Sequence, residues 1–282
     1  MKKNINDEYI IGISYGFHDS AVALIQNGKV LNAVEEERFT GLKHDSSFPI
    51  NSINWILREN NITGKDISVV CYYENPNLKY DRDKKSYWKY FWKNPFKFPK
   101  KTNPLSPLDD IFPFAKITVG NHHLSHLAYS YFTSDFKEAA ILSVDGVGEW
   151  DTTVSAYGEE NIIKRNNEVI YPHSLGLLYS TITAFLGFKP NEGEYKVMGL
   201  APYGTHLFHH KKFDKLIRET QNGFELNMEY FSYHYSDKIM FNKKLSKLLG
   251  IPNRLPEEPI NDIHKNIAAA LQYTYEKIFF KL

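Results

Sequence analysis

The residues best suited to chemistry gather in one stretch, Asn121 to Trp150, NHHLSHLAYSYFTSDFKEAAILSVDGVGEW. His122 and His126 stand four residues apart, ahead of Leu127, Ala128, Tyr131 and Phe132, small and apolar residues that fit a helix. At 3.6 residues per turn both imidazoles share one face, about a turn apart. After a short acidic turn, Ala139 to Val144 read as a buried strand. It ends in Asp145-Gly146, so a carboxylate leaves the strand where the chain must loop. Two imidazoles and a carboxylate converging at a strand's carboxyl end are a donor set for a divalent metal with open positions. A lone HxxxH pair is more often half-buried or solvated. Here His122, His123 and His126 fall within five residues, and Gly146 and Gly148 follow Asp145. The pattern is not the HExxH of a zincin, because His123 stands where the glutamate base would be.

Positioning these groups requires regular elements on either side. Tyr9 to Ser14 is a short apolar run that ends in a polar loop, Tyr15-Gly16-Phe17-His18-Asp19-Ser20. Ala21 to Ile25 and Val30 to Val34 flank Asn27-Gly28, a strong hairpin signal, and the acidic cluster Glu35-Glu36-Glu37 follows. The chain therefore opens with three antiparallel strands. Phe48 to Arg58 reads as an amphipathic helix with Pro49 in its first turn, and Ile67 to Tyr72 as another buried strand. The pattern then recurs: Ala140 to Val144, the polar loop from Asp145 to Asp151, Thr152 to Tyr157, a turn at Gly158-Glu159-Glu160, and Asn161 to Ile170. Strand, glycine-containing loop, strand, turn, strand thus occurs twice, and internal duplication of this kind can define an architecture. With helices and parallel strands after each copy, the expectation is an α/β protein with a duplicated ribonuclease-H-like fold. This is the actin, sugar-kinase and Hsp70 arrangement, with nucleotide phosphates between the two loops. The lobes are expected at 1–137 and 138–282.

Downstream, HSLGLLYSTITAFLGFKPNEGEYKVMGLAPYG begins at His173. Ser174 suits an N-cap, Leu175, Leu178, Ile182 and Leu186 fall at helical spacing, and Gly187 marks the stop. A compact run with Gly193, Lys196, Gly199 and Gly204 follows; glycines let amides approach phosphate and a lysine adds a point charge, although this is no Walker A motif. Phe208 to Glu219, Asn242 to Leu249 and Ile260 to Leu282 read as helices, and Asn222 to Tyr235 as a strand or two. An insertion at about 78–107 is rich in lysine and aromatics, YDRDKKSYWKYFWKNPFKFPKK. Its aromatics pack on the body while lysines face water, or the segment docks a nucleic acid or another domain.

Bulk properties narrow the class. The chain has 282 residues, enough for one large or two modest domains, and its formal net charge is +1, which gives no global electrostatic case for nucleic acid or membrane. The single cysteine, Cys71, excludes an internal disulfide and suits a reducing cytoplasm. The N-terminal MKKNINDEYIIGISYG has acidic residues and only a short apolar run, so it does not read as a signal peptide, and no later stretch is apolar enough to span a bilayer. A cytoplasmic location is expected.

Three stretches together resemble one family, the O-carbamoyltransferases of the nodulation-protein-U and antibiotic-tailoring type: GISYGFHDSAVALIQNGKVLNAVEEERFTGLKHDSSFP (12–49), NHHLSHLAYSYF with ILSVDGVGEWDTT (121–153), and HSLGLLYSTITAFLGFKPNEGEYKVMGLAPYG (173–204). More distantly the chain is similar to the transferases that make threonylcarbamoyl-adenosine in tRNA. The resemblance implies a metal, usually iron, at His122, His126 and Asp145. It places His18 and Lys43 beside the reacting carbamoyl group; there the chemistry of an imidazole would suit His18 as general base, and the charge of a lysine would suit Lys43 for stabilising developing negative charge. It sets Gly146, Gly148, Glu149, Lys196 and Gly199 in segments around an adenine nucleotide. The implied reaction passes a carbamoyl group from carbamoyl adenylate to an acceptor hydroxyl, often of a sugar or antibiotic-like molecule. A second domain, in cis or trans, makes that adenylate from ATP and carbamoyl phosphate; a homodimer is compatible, and neither membrane nor nucleic acid is an expected partner. The family's chain continues to a Gly-Gly segment, a further metal-binding aspartate and the adenylate-forming domain. None of these follows Ile260 to Leu282, so the second lobe is expected to be incomplete, with at most three metal ligands from this chain. An ATP-dependent sugar kinase or ATPase of the same fold is the alternative enzyme, but the HHLSH run is unneeded there. A non-catalytic nucleotide-binding remnant is the third possibility.

Overall fold

The computed structural model describes residues 8–93, 98–236 and 238–282. Part of the N-terminal segment read against a signal peptide and 94–97 of the lysine-aromatic insertion lie outside the described residues. The architecture is mixed α/β, and the chain divides into two compact units. The first comprises Met1–Tyr80 and Lys100–Ser125, the second Asp81–Pro99 and His126–Leu282. This division falls inside a helix, earlier than the 137/138 boundary expected from sequence, and gives most of the lysine-aromatic insertion to the second unit.

In the first unit the opening meander is β1 (Tyr9–Ser14), β2 (Ala21–Gln26) and β3 (Lys29–Glu35), antiparallel throughout. Gln26 pairs with Lys29, so Asn27 and Gly28 form a two-residue loop. Their φ angles, 50° and 77°, are both in the left-handed region that such a hairpin demands. The short helix α1 (Glu37–Thr40) leads to α2 (Ile50–Glu59), whose Ile53 and Ile56 are fully buried. The acidic cluster has a structural use here. Glu36 is buried, and its carboxylate accepts hydrogen bonds from Asn51 N and Nδ2 and from Ser52 N and Oγ, at 2.6–3.1 Å. It thereby satisfies amides that the first turn of α2 would otherwise leave unpaired.

β4 (Ile67–Tyr72) returns parallel to β1, and the helices α3 (Pro76–Lys89) and α4 (Ser106–Ile111) precede β5 (Lys116–Val119), parallel to β4. The sheet order is β3-β2-β1-β4-β5. Ile11, Ile13, Val22, Leu24, Ile53, Ile56, Val70, Leu108 and Phe112 form its core. Each such side chain contributes roughly 1.5–3 kcal/mol when withdrawn from water.

Helix α5 (His122–Phe132) carries the histidines and leads to β6 (Glu138–Val144), β7 (Asp151–Glu159) and β8 (Ile162–Ile170), an antiparallel sheet in that order. β6 is only half buried, with Ile141 and Ser143 inside, rather than the fully buried strand its apolar run suggests. The turn expected at 158–160 falls later, at Glu160-Asn161, with Glu160 at φ 50°. Gly158 stays in the strand because the Tyr131 ring lies on it: a Cβ there would meet ring carbons at 2.7 Å.

Ser174 caps α6 (Leu175–Phe185), its hydroxyl accepting from Leu177 N at 3.0 Å. The compact run with Gly193, Lys196, Gly199 and Gly204 takes the form of helix α7 (Glu194–Leu200), with Gly193 at its N-cap, followed by a 3-10 turn. The single helix expected over Phe208 to Glu219 is not formed. The chain makes only α8 (His210–Phe213), and then Ile217–Thr220 becomes β9, paired with β10 (Gly223–Leu226). Gln221 and Asn222 close this hairpin, and buried Ile217, Phe224 and Leu226 anchor it in the core. After β8, therefore, the strands are an antiparallel hairpin of their own, unlike the parallel strands expected to follow each meander. Helices α9 (Lys243–Leu249) and α10 (Asp262–Phe279), capped by Asn242 and Asn261, complete the unit. Its core includes Leu178, Ile182, Phe185, Phe213, Phe231, Leu245, Ile267 and Leu271.

Candidate active site and metal-ligand cluster

In the first unit two loops are laced together. Gly16 N donates to Ser46 O (3.0 Å), Ser20 N to Asp45 O (2.7 Å) and Ser20 Oγ to Ser47 O (2.7 Å). Asp45 in turn accepts from Thr40 Oγ1 (2.7 Å) and Ser47 N (2.8 Å). This lacing brings His18 and the Lys43-His44 segment to one carboxylate, Asp19: His18 Nδ1 lies 2.8 Å from its Oδ2 and His44 Nδ1 2.9 Å from its Oδ1. Burial pushes the Asp19 carboxyl upward, but the hydrogen bonds from His44 and His18 outweigh it and hold the group below its ordinary range. Lys43 is exposed.

At the end of β4 stands another carboxylate. Glu74 is buried and accepts from Tyr73 Oη (2.8 Å) and Lys79 Nζ (2.6 Å), and its Oε2 lies 3.8 Å from His122 Nδ1. Burial works against its ionisation, yet the His122 and Lys79 interactions prevail and depress it to about 2. The Tyr73 ring also packs on the His122 ring, 5.5 Å between centroids.

His122 opens α5, and His126 follows one turn later on the same continuous helix. Asp145 stands directly after β6, its amide donating to Thr152 O at 2.9 Å. One ligand atom each from His122, His126 and Asp145 lie within 4.8 Å of one another, with His126 Nε2 3.9 Å from Asp145 Oδ2. His122 and Asp145 are half-buried and His126 is exposed. The cluster thus has donors of the right chemistry at a mutual spacing an ion can bridge.

The loop after Asp145 is braced from two sides. Ser174 Oγ lies 3.0 Å from Asp145 O and 2.7 Å from Gly146 O, its single hydroxyl hydrogen shared between the two carbonyls, so the residue that caps α6 also fixes the start of the loop. Gly176 lets that helix approach: a Cβ there would sit 2.7 Å from Asp145 O. From the insertion, buried Arg82 donates from Nη1 to Gly148 O, and Lys85 lies over the Trp150 ring at 5.0 Å. Gly148 and Glu149 are buried. Lys196 and Gly199 are exposed on α7, and a Cβ at Gly199 would meet nothing within 4 Å, so packing does not require that glycine.

Residues 9–282 match the family described as carbamoyltransferase N-terminus. The chain belongs to the carbamoyltransferase family. Among curated relatives, it is 40% identical to the uncharacterized protein sll1178 of Synechocystis sp., over 97% of this chain and 47% of that protein. It is 30% identical to the nodulation protein NolNO of Sinorhizobium fredii, over 93% of this chain and 37% of that one. The chain therefore spans about half the length, or less, of these relatives. A solved Ppx/GppA phosphatase of Aquifex aeolicus covers 97% of the chain and 93% of its own, at 13% identity and a TM-score of 0.33.

In this carbamoyltransferase chain three further polar groups stand at these sites without a decisive local signal: Glu74, Asp19 and His44. Glu74 carried a signal of the same kind as Asp145, an acid just past a strand's carboxyl end. Asp19 and His44 lie in the same 12–49 stretch as His18 and Lys43, but only the lacing of the two loops shows that they meet.

Proposed function

We propose that this chain performs the transfer step of a carbamoyltransferase, passing a carbamoyl group from carbamoyl adenylate to a hydroxyl of a sugar or antibiotic-like acceptor. The observation that carries this reading is the convergence of His122, His126 and Asp145 within 4.8 Å in a chain of this family. Two imidazoles and a carboxylate fit a divalent cation, proposed to be iron, and Glu74 behind His122 Nδ1 supplies the carboxylate–histidine backing common at such sites. A cation held there would polarise the phosphate oxygens of the mixed anhydride.

The remaining work falls to this chain's own groups. The acceptor oxygen bonds to the carbamoyl carbon as its proton passes to His18 Nε2; the bond from that carbon to the adenylate oxygen breaks and AMP leaves. Lys43 stabilises the negative charge that develops. Gly146, Gly148 and Glu149, with Lys196 and Gly199, hold the adenylate, which a second domain in cis or trans makes from ATP and carbamoyl phosphate. The two antiparallel meanders are read as paired halves of a ribonuclease-H-like fold; the β3-β2-β1-β4-β5 order of the first sheet supports this.

Titrating Fe(II) anaerobically into the full chain tests the reading. Wild type is expected to bind a single ion, and His126→Ala and Asp145→Asn to lose at least ~100-fold in affinity while keeping the wild-type circular dichroism. Unaltered binding in both variants would sink it.

A further inference from the structure

The three side chains His18, Asp19 and His44 form an arrangement that the transfer chemistry does not by itself require. Each Asp19 oxygen takes one ring: Oδ2 faces His18 Nδ1 at 2.8 Å and Oδ1 faces His44 Nδ1 at 2.9 Å. The two histidines differ in surroundings. His18 is about half exposed, with its ring against Phe17 (4.7 Å between centroids), whereas His44 Nε2 is buried without a hydrogen-bond partner among the described residues. His44 is also tied through its backbone, its amide donating to Glu37 Oε2 at 3.1 Å.

The backbone is bent to make this possible. Asp19 has φ 48° and His44 φ 57°, both in the left-handed region that residues with a Cβ seldom enter. Two such positions facing each other across one carboxylate are over-determined by the lacing of Gly16, Ser20, Asp45, Ser46 and Ser47 around them. Conformations of this kind persist where surrounding structure holds a group in a required orientation.

We propose that Asp19 is a positioning residue: clamped on one oxygen by His44, it presents the other to His18, fixing that imidazole as the Nδ1–H tautomer with its Nε2 lone pair free to take a proton. An ionised carboxylate only accepts hydrogen bonds, so an imidazole nitrogen bonded to it must carry the hydrogen. In the neutral ring the opposite nitrogen is then the acceptor, which is the form a general base needs. His44 is the anchor of the pair, and His18, the more exposed ring, is the one that meets the acceptor hydroxyl. This inference rests on the proposed transfer reaction for its purpose, but the tautomer itself is measurable without any reaction.

The test uses the full chain with 15N-labelled histidine at pH 8, where ordinary imidazoles are neutral. Long-range 1H–15N spectra, assigned with His18→Gln and His44→Gln, report which nitrogen carries hydrogen. Wild type is expected to show Nδ1–H at both residues. Asp19→Asn and Asp19→Gly, two residues that tolerate a positive φ, are expected to return His18 to the Nε2–H form that a free imidazole prefers. Transfer from carbamoyl adenylate, measured on the same variants, is expected to lose about 100-fold or more in kcat with little change in KM. An Nε2–H tautomer at His18 in wild type would overturn the proposal, as would an unchanged His18 tautomer in both variants. Wild-type turnover in Asp19→Gly, with His18→Gln inactive, would overturn it equally. A chain with the expected tautomers that transfers nothing would uphold the positioning role and remove the transferase reading instead.

Discussion

Glu74 shows how a single side chain can tie a fold to a candidate site. Buried at 4% exposure, it would be costly to ionise alone, yet Lys79 and Tyr73 donate to it and His122 Nδ1 stands 3.8 Å away, and together they keep it charged. A carboxylate behind one imidazole nitrogen orients the ring and strengthens the other nitrogen as a ligand. Glu74→Gln keeps size and hydrogen-bonding capacity while removing the charge. It is expected to weaken divalent-metal binding about 10–100-fold with secondary structure intact, as read by equilibrium dialysis and circular dichroism. At this scale His122, His126 and Asp145 were legible in sequence because their spacing is helical and their acid ends a strand. Glu74 and Asp19 were not, because nothing local says which of many carboxylates will be buried against a histidine.

Elements decide how firmly the loop after β6 is held. The start of α6 contacts Asp145 and Gly146 through Ser174 Oγ, and the closeness of that contact depends on Gly176 having no Cβ. Gly176→Ala is therefore expected to push helix and loop apart. The cost is about 1–3 kcal/mol in chemical denaturation, with weaker metal binding than wild type; an unchanged midpoint and affinity would show that the close approach is dispensable. Elements with strong local signals were legible: the Asn27-Gly28 hairpin and the Ser174 cap lie where their residues indicate, and the final helix falls within the span its residues suggest. The local signal of 208–219 favours a helix, yet only His210–Phe213 is helical and Ile217–Thr220 is a strand. Pairing between Ile217 and Leu226, and burial of Phe213 and Leu216, outweighed that local preference. Gly158 reads locally as a turn residue, and only the tertiary fold reveals the Tyr131 ring lying on it.

On the scale of the whole molecule, the lysine-aromatic insertion joins the second unit more intimately than its composition suggests. Tyr90 packs on His234 at 4.5 Å between centroids, Lys93 lies 4.3 Å over Tyr235, and Arg82 is buried, while Trp88 and Trp92 remain exposed. His234 is 4% exposed, and burial, helped by Lys93 and Lys89, lowers it from 6.5 to about 4. A histidine depressed in the folded state stabilises the fold above its unfolded value, and that stability is lost as pH falls from 6.5 toward 4. A shift of this size is worth roughly 3 kcal/mol. Urea denaturation between pH 7 and pH 4 should show wild type losing stability more steeply than His234→Phe; parallel profiles would mean that His234 is not the group responsible. No helix among the described residues is long and apolar enough to cross a membrane.

The sequence alone determined what is written in short-range terms: the opening meander, the histidine pair on one helical face, the acid at the end of β6, and membership of a family. Periodicity, turn chemistry and motif order act over a few residues and need no knowledge of distant contacts. Only the tertiary structure decided which polar groups meet: His44 with His18 through Asp19, Glu74 with His122, and Arg82 with the backbone carbonyl of Gly148. Those pairings depend on loops and strands far apart in the chain being brought together, and on low-dielectric surroundings that make an unpaired charge too costly to keep.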